Sequence, residues 1–145
     1  MGRIHVAVRE TPLSCDAALA FLDDPSHGAV CTFVGRVRNT NQDKPVDGVS
    51  YDAFDALATH TLRTIAEEIQ SRWGEDLDVW LEHFRGHLPV GGVSVVVAVA
   101  SGHRAESFAA CRHAIEEIKR RAPVWKEEHY ADGDSTWIEG RALRS

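Results

Sequence analysis

The residues best suited to chemistry in this sequence are two lysines near its C-terminus, Lys119 and Lys126, on either side of Pro123. Lys119 follows Ile118, a member of the apolar stripe of a predicted helix, so its amine is expected beside the core and partly buried. Desolvation and neighbouring cations lower the pKa of a lysine, which can then act as an acid, a base or a nucleophile. The alternative is that this basic cluster only complements the negative end of the helix.

Lys126 lies beyond Pro123, in the first strand of a predicted hairpin. Because side chains alternate along a strand, Trp125 is expected to pack while Lys126 faces a cleft. Glu127 and Glu128 follow directly. They either orient the lysines or face water.

Two arginines end a predicted buried strand. Arg36 and Arg38 are two residues apart, so they share one face of the strand and Val37 takes the other. Two guanidinium groups on one face can clamp a phosphate or a carboxylate. The alternative is an exposed strand end, because arginine is mostly a surface residue.

His103 and Arg104 fall in the first turn of the last predicted helix. The free N–H groups and the positive end of the helix dipole already favour an anion at that place. Two further groups that can be cationic therefore indicate an anionic ligand. The alternative, that both side chains point into solvent, stays open because most helix N-termini bind nothing.

Several familiar catalytic arrangements are missing from the sequence. It has no G-x-x-x-x-G-K phosphate loop, no G-x-S-x-G elbow and no cysteine placed as a nucleophile. The three cysteines are isolated, which predicts buried, reduced thiols. His83 and His87 have the spacing of helical metal ligands, but the glycines and Pro89 around them break a helix. We therefore predict no metal and no cofactor, and an enzyme that works with lysines and arginines on an anionic substrate.

Composition limits the class of protein. The chain has 145 residues, a net charge of -6, 43% hydrophobic and 26% charged residues, which predicts one globular domain over residues 1–145. The acidic balance disfavours nucleic-acid binding. No apolar run reaches the roughly 18 residues that cross a membrane, and the N-terminus lacks the apolar stretch of a signal peptide. A cytoplasmic location is the default expectation.

Periodicity predicts an α+β domain with a mainly antiparallel sheet, two main helices and a C-terminal β-hairpin. Strands are predicted over residues 3–9, 28–38, 49–54, 77–84 and 93–100, and residues 39–48 are predicted to form a polar loop. Ser14 caps a short helix, Asp55 opens a long one that Gly74 closes, and Pro123 stops the last helix. The apolar stripe of that last helix is predicted to contain Phe108, Cys111, Ile115, Ile118 and Ala122.

Three motifs together carry a family resemblance: FVGRVRN, SGHRAESF and IKRRAPVWKEE, in this order and at these separations. They resemble the catalytic (large) subunit of molybdopterin synthase, over nearly the whole chain from Ile4 to Arg141. The resemblance implies an α/β-hammerhead-type fold and a homodimer within a heterotetramer. It also implies a small ubiquitin-like partner whose C-terminal Gly-Gly ends in a thiocarboxylate. Two such sulfurs would be transferred to cyclic pyranopterin monophosphate, forming molybdopterin, which fits the missing cysteine nucleophile.

The same resemblance implies roles for individual residues. Lys119 and Lys126 match the catalytic lysines. The substrate-binding positions are matched by Arg36, Val37, Arg38, His103, Arg104, Lys119, Lys126, Glu127 and Glu128. Glu127 stands where relatives are often basic, and Arg141 is matched to a family arginine only through a hairpin turn longer than in some relatives.

Two other functions fit the same cations. One is a non-catalytic module that binds a phosphate or a pterin phosphate without forming product. The other is a scaffold that docks a ubiquitin-like tail and has no need of Lys119.

Overall fold

The computed structural model describes residues 1–133 and the backbone of residues 135–138. Three helices lie among the described residues: α1 (Cys15–Phe21), α2 (Asp55–Trp73) and α3 (Arg104–Arg121). The strands are β1 (Ile4–Arg9), β2 (Ala29–Arg36), β3 (Thr40–Asn41), β4 (Lys44–Ala53), β5 (Asp78–Phe84), β6 (Gly86–Pro89), β7 (Val93–Ser101), β8 (Val124–Tyr130) and β9 (Ser135–Ile138). This is the α+β class that the periodicity predicts.

The strands form two sheets instead of the one expected. The first sheet has the order β1-β5-β7-β2, with β1 parallel to β5 and the other pairs antiparallel. In the second sheet β4 pairs with β8, β3 and β6, and β8 pairs with β9, all antiparallel. The prediction of mainly antiparallel pairing and of a C-terminal hairpin is confirmed. Gly133 has φ of 92° in the hairpin turn, a conformation that favours glycine.

Helices cover both faces of the first sheet. α2 and α3 pack on one face, over a core that includes Ile65, Ile69, Val97, Val99 and Ile118. α1 contacts the other face, and its N-cap Ser14 accepts a hydrogen bond from the backbone N–H of Ala17 at 3.1 Å. No helix in the described part of the chain is both long enough and apolar enough to cross a membrane.

A second core joins the two sheets. Val46, Val49 and Leu88 of the second sheet pack with Val96 and Ala98 of the first sheet. Val37, which directly follows β2, belongs to the same cluster, so the second sheet also meets the first near the end of β2. A crevice lies between the two sheets, and the ends of several strands and helices border it.

The predicted loop over residues 39–48 is partly wrong. Asn41 pairs with Lys44, and Gln42 and Asp43 both have positive φ, at 50° and 65°. Those angles make a two-residue hairpin turn of the kind that usually contains Asn-Gly or Asp-Gly. Since Gln-Asp is an unusual choice there, the turn signal was absent from the sequence.

The predicted stripe of α3 is wrong at Phe108, whose side chain is 63% exposed. The buried positions before Cys111 are Ser107 and Ala110. Small residues at these positions let the helix approach the sheet closely, which turns Phe108 out to the side. The rest of the expected stripe is buried or packs against the core.

Pro123 ends α3 as predicted. Ala122 leaves the helical conformation with φ of -69° and ψ of 131°, and β8 begins at Val124. The chain therefore passes from helix to strand within three residues. This corner brings Lys119 of α3 and Lys126 of β8 to the same crevice.

Candidate functional site

A cleft lies where the C-terminal end of α3, the end of β2 and the second sheet meet. Its apolar walls include Val46, Val49, Val95, Ile115 and Ile118. Four cationic side chains also line it: Arg36, Arg38, Lys119 and Lys126. An apolar cleft with a few convergent charged groups is the usual form of a small-molecule site.

The amine of Lys119 is in the perturbed environment that its position in the sequence predicts. Its pKa is lowered, first by burial and then by the positive charges of Lys126 and Arg38. Both effects disfavour the protonated amine. Lys119 is thus more easily deprotonated than an ordinary surface lysine, and it becomes protonated more readily when an anion enters the cleft.

Lys126 is held in place by Glu128, on the same face of β8. Nζ of Lys126 lies 3.1 Å from Oε1 of Glu128, whose side chain is only 5% exposed. Oε2 of Glu128 accepts hydrogen bonds from the Tyr130 hydroxyl at 2.7 Å and from Nδ2 of Asn41. One carboxylate oxygen of Glu128 therefore pairs with Lys126, and the other is held in place by Tyr130 and Asn41.

Arg36 and Arg38 both reach the cleft, although β2 ends at Arg36 with an irregularity between Gly35 and Arg36. Nε of Arg36 donates to the carbonyl of Gly91 at 3.2 Å. Val37 is 5% exposed, and its backbone N–H donates to the carbonyl of Gly92 at 2.9 Å. The two arginines reach the cleft as their spacing predicts, but Val37 lines the cleft with them instead of facing away from it.

A buried histidine and tyrosine complete the cleft wall. Burial lowers the pKa of His83 to about 4, so the ring is neutral near pH 7. Nδ1 of His83 donates to the carbonyl of Phe84 at 2.8 Å, which leaves Nε2 as the acceptor nitrogen. The Tyr51 ring packs edge-on against His83 at 5.2 Å, and burial raises the pKa of its hydroxyl. In the sequence, the spacing of His83 and His87 points only to a metal ligand, and no signal there places His83 in the same cleft as the lysines.

The comparisons with known proteins agree with this architecture. The family described as MoaE protein matches residues 8–121 of the chain. The chain belongs to the MoaE family. A relative from Nostoc sp., a molybdopterin synthase catalytic subunit, is 43% identical over 132 residues, which is 91% of this chain and 80% of that protein.

Solved MoaE-family structures have the same fold. The chain matches molybdopterin synthase from Staphylococcus aureus with a TM-score of 0.86 and 30% identity, over 91% of this chain and 95% of that one. It matches a Helicobacter pylori complex of subunits 1 and 2 of molybdopterin-converting factor with a TM-score of 0.74 and 22% identity, over 97% and 92%. The predicted family, the predicted hammerhead-type fold and the assignment as an enzyme of the molybdopterin synthase type are confirmed.

Within this MoaE-family chain, the cleft does not bring all the predicted site residues together. His103 is the N-cap of α3 and Arg104 its first residue, and both are exposed. Arg104 and Lys119 are fifteen positions apart in the helix, which is about 22 Å along the axis. Arg104 of this chain therefore lies at the opposite end of α3 from Lys119, and neither His103 nor Arg104 lines the cleft.

Two other predicted site residues also lie apart from the cleft. Glu127 projects from the opposite face of β8, where its Oε1 is 3.7 Å from Nε2 of His129. Arg141 lies outside the described residues. Of the candidate residues, the cleft thus collects Arg36, Val37, Arg38, Lys119, Lys126 and Glu128.

Proposed function

We propose that this chain transfers sulfur to cyclic pyranopterin monophosphate from the C-terminal thiocarboxylate of a small ubiquitin-like subunit, and so forms molybdopterin. The observation that carries the proposal is the meeting of Lys119, Lys126 and Arg38 in one cleft, with the pKa of Lys119 lowered by burial and by the other two charges. Such a cleft suits a substrate that carries a phosphate and a donor tail that ends in an anion. It contains no cysteine among its lining residues, in keeping with sulfur that arrives on the partner.

Lys119 assists the addition of sulfur to the pterin side chain, either by proton transfer or by engaging the carboxyl end of the partner's tail. Its lowered pKa favours proton exchange closer to neutral pH. Lys126 stabilises the negative charge that develops at the thiocarboxylate or at the cyclic phosphate. Glu128 holds the Lys126 amine in position, and Arg38 binds the phosphate.

His103 and Arg104 contribute to the site of a second copy of the chain. β2 is an outer strand of the first sheet, and its Val30, Phe33 and Val34 are each more than a third exposed. An exposed apolar edge strand is a ready surface for pairing with another chain. A second copy is therefore the partner we assign to this edge.

The register of such a pairing links the two ends of α3. If two β2 strands pair antiparallel around Thr32 and Phe33, Arg36 of one copy stands opposite Ala29 of the other. Ala29 is itself paired with Ser101, two residues before His103. The start of α3 in one copy would thus lie beside the arginine end of β2 in the other, and each site would draw residues from both chains.

The small subunit brings the sulfur. The fold of this chain occurs in a complex of subunits 1 and 2 of molybdopterin-converting factor, which supports a small partner subunit here. The cationic cleft gives the anionic end of the partner's tail a place to bind. A heterotetramer of two such chains and two small subunits follows from the pairing of β2.

A product assay tests the proposal against its alternatives. The purified chain is mixed with thiocarboxylated partner and cyclic pyranopterin monophosphate, and dithiolene product is measured. We expect product with the wild-type chain and nearly none with Lys119→Ala. A phosphate-binding module would bind the pterin without product, and a docking scaffold would bind the partner equally well after Lys119→Ala.

Mixed dimers test the shared site. Lys119→Ala and Arg104→Ala chains are unfolded together and refolded together, so that half of the sites in mixed dimers carry neither substitution. We expect the mixture to recover about a quarter of wild-type turnover, whereas each variant alone stays low. Arg112→Ala, an exposed position on the same helix, serves as the control in place of Arg104→Ala. No recovery, with each variant alone inactive, would show that Arg104 serves the site of its own chain and would overturn the shared site. A fully active Arg104→Ala chain would place Arg104 outside the reaction.

A further inference from the structure

A second cluster of polar side chains lies at the opposite end of the first sheet from the cationic cleft. Asp24 and His27 belong to the connection between α1 and β2, and Asp78 is the first residue of β5. One ligand atom from each of the three side chains lies within 4.8 Å of the other two. The proposed sulfur transfer makes no use of this cluster.

His27 has a buried ring nitrogen that needs a partner. Its side chain is 3% exposed, and Nδ1 has no hydrogen-bond partner among the residues that the structure describes. Nδ1 lies 3.4 Å from Oδ2 of Asp78 without the geometry of a hydrogen bond. Buried polar atoms are almost always satisfied, so an unpaired imidazole nitrogen aimed at two carboxylates indicates a ligand between them.

The separation of the two atoms fits a shared cation. Ligand atoms that lie about 2.0–2.1 Å from a tetrahedral zinc ion are about 3.3–3.4 Å from one another. The 3.4 Å between Nδ1 of His27 and Oδ2 of Asp78 matches that separation. Both hydrogen bonds that Asp24 accepts from Ser26 end on Oδ1, which leaves the lone pairs of Oδ2 for the ion.

The local charge also favours a cation. The crevice beside the cluster is lined by three aspartates, Asp24, Asp76 and Asp78, and on the basic side by Arg3 and by Met1 with its N-terminal amine, so the acidic groups outnumber the basic ones. Arg3 donates from its backbone N–H to Oδ1 of Asp78 at 2.7 Å and from Nη2 to Oδ2 at 3.3 Å. A carboxylate oxygen has two lone pairs, so Oδ2 can bind an ion while it accepts from Arg3.

We propose that Asp24, His27 and Asp78 form a binding site for a divalent transition-metal ion of the zinc type, with solvent in the remaining coordination position. One imidazole and two carboxylates suit such an ion, whereas magnesium and calcium prefer oxygen ligands alone. The site joins the start of β1, the connection before β2 and the start of β5. The bound ion supports the turn at Gly102, which packs beside Ser26 and Gly28 just before α3 begins.

The test uses chain without a histidine tag, freed of metal by a chelator. Zinc binding is measured by titration calorimetry, cobalt binding by its visible absorption, and stability by thermal melting with and without zinc. Asp24→Asn is the decisive variant, because an asparagine Oδ1 keeps both hydrogen bonds from Ser26. Its matched control is Asp23→Asn, the exposed neighbour. His27→Gln is paired with His60→Gln, an exposed histidine of α2.

We expect one zinc per chain and a melting temperature that rises by about 5 °C or more at saturating zinc. Asp24→Asn should weaken binding at least about tenfold and His27→Gln should abolish it, while both controls bind as the wild type does. Because these readouts do not depend on sulfur transfer, they are independent of the proposed function. Absence of saturable zinc binding up to about 1 mM, or binding that survives both Asp24→Asn and His27→Gln, overturns the proposal.

Discussion

Lys126 and Glu128 form an ion pair across one face of β8, with Nζ and Oε1 3.1 Å apart and Glu128 almost fully buried. Oε2 of the same carboxylate is occupied by Tyr130 and Asn41, so the position of Oε1 is fixed from behind. A long, flexible lysine is thereby held in one place before any substrate arrives. In the proposed reaction, preorganisation of this kind would let the amine stabilise developing charge without first having to reorient.

Glu128→Gln tests this positioning role. The amide oxygen and nitrogen retain part of the hydrogen bonding to Asn41 and Tyr130, but the charge that holds Lys126 is lost. We expect the single-turnover rate of sulfur transfer to fall about 10- to 100-fold, with a smaller change in the affinity for the pterin. Glu116→Gln, an exposed carboxylate of α3 that pairs only with Arg112 among the described contacts, should leave both unchanged. An unaltered rate in Glu128→Gln would remove the positioning role.

Lys119→Met separates catalysis from stability. Methionine keeps the length of the side chain and removes an amine whose lowered pKa shows that the folded state disfavours its charge. Because the folded pKa is below the unfolded one, protonated Lys119 costs stability at neutral pH, and the cost disappears as pH rises through both pKa values. We expect turnover to be nearly abolished while the melting temperature at pH 7 stays the same or rises. A destabilised Lys119→Met chain would show that the amine is structural.

Lys126→Gln should change the titration of Lys119. The positive charge of Lys126 is the second cause of the lowered pKa of Lys119, after burial, so its removal should raise that pKa. NMR of isotope-labelled methyl groups introduced on the lysine amines measures this pKa directly. The high-pH side of the profile of sulfur-transfer rate against pH should likewise move to higher pH. If the pKa of Lys119 is unchanged in Lys126→Gln, the two amines do not interact in solution.

The sequence predicts one wall of the site well because the residues that form this wall are close together along the chain. The stop at Pro123, the alternation of Lys126 and Glu128 with Trp125, and the spacing of Arg36 and Arg38 all act within a few residues. Glu128 and its support from Asn41 are different, since 87 residues separate them. The turn that delivers Asn41 has no recognisable sequence signal, so only the fold reveals the contact.

The other failures also have a common physical cause. Phe108 fits the helical spacing of the predicted apolar stripe as well as the other members of the stripe do. The residues that pack against the sheet there are Ser107 and Ala110, because they are small. The distance between Arg104 and Lys119 follows from helix length alone and is therefore predictable from the sequence. Family motifs group residues by shared function, and they do not state which copy of the chain supplies each one.

Arg38→Ala tests the anion pocket. Arg38 is exposed at the mouth of the cleft, so its loss should not change the fold. We expect pterin binding to weaken by about 1.5–3 kcal/mol, the usual scale for a hydrogen bond to a charged group. Titration calorimetry with the phosphorylated pterin measures the loss, and Arg63→Ala on α2 provides a control outside the cleft lining. Equal affinity in both variants would return Arg38 to the role of a solvated surface residue.

Trp125→Ala and Lys126→Ala should fail in different ways, because the two side chains leave β8 on opposite faces. The Trp125 ring packs edge-on against Phe54 at 4.9 Å, yet Phe54 is 63% exposed and Trp125 itself is only partly buried. We therefore expect Trp125→Ala to lower the free energy of unfolding by about 1–3 kcal/mol, less than the roughly 3–5 kcal/mol for a fully buried ring. Sulfur transfer per folded molecule should hardly change.

Lys126→Ala has two effects that a second substitution can separate. It should slow sulfur transfer, though less than Lys119→Ala does, because Lys119 and Arg38 remain in the cleft. It also leaves the buried Glu128 carboxylate without its cation, which should cost about 1–3 kcal/mol of stability. Adding Glu128→Gln removes that unpaired charge, so the double variant should melt closer to the wild type while the rate stays low. Melting curves and single-turnover rates are measured on the single and double variants. If the second substitution restores the rate along with the stability, Lys126 supports the fold and takes no part in the chemistry.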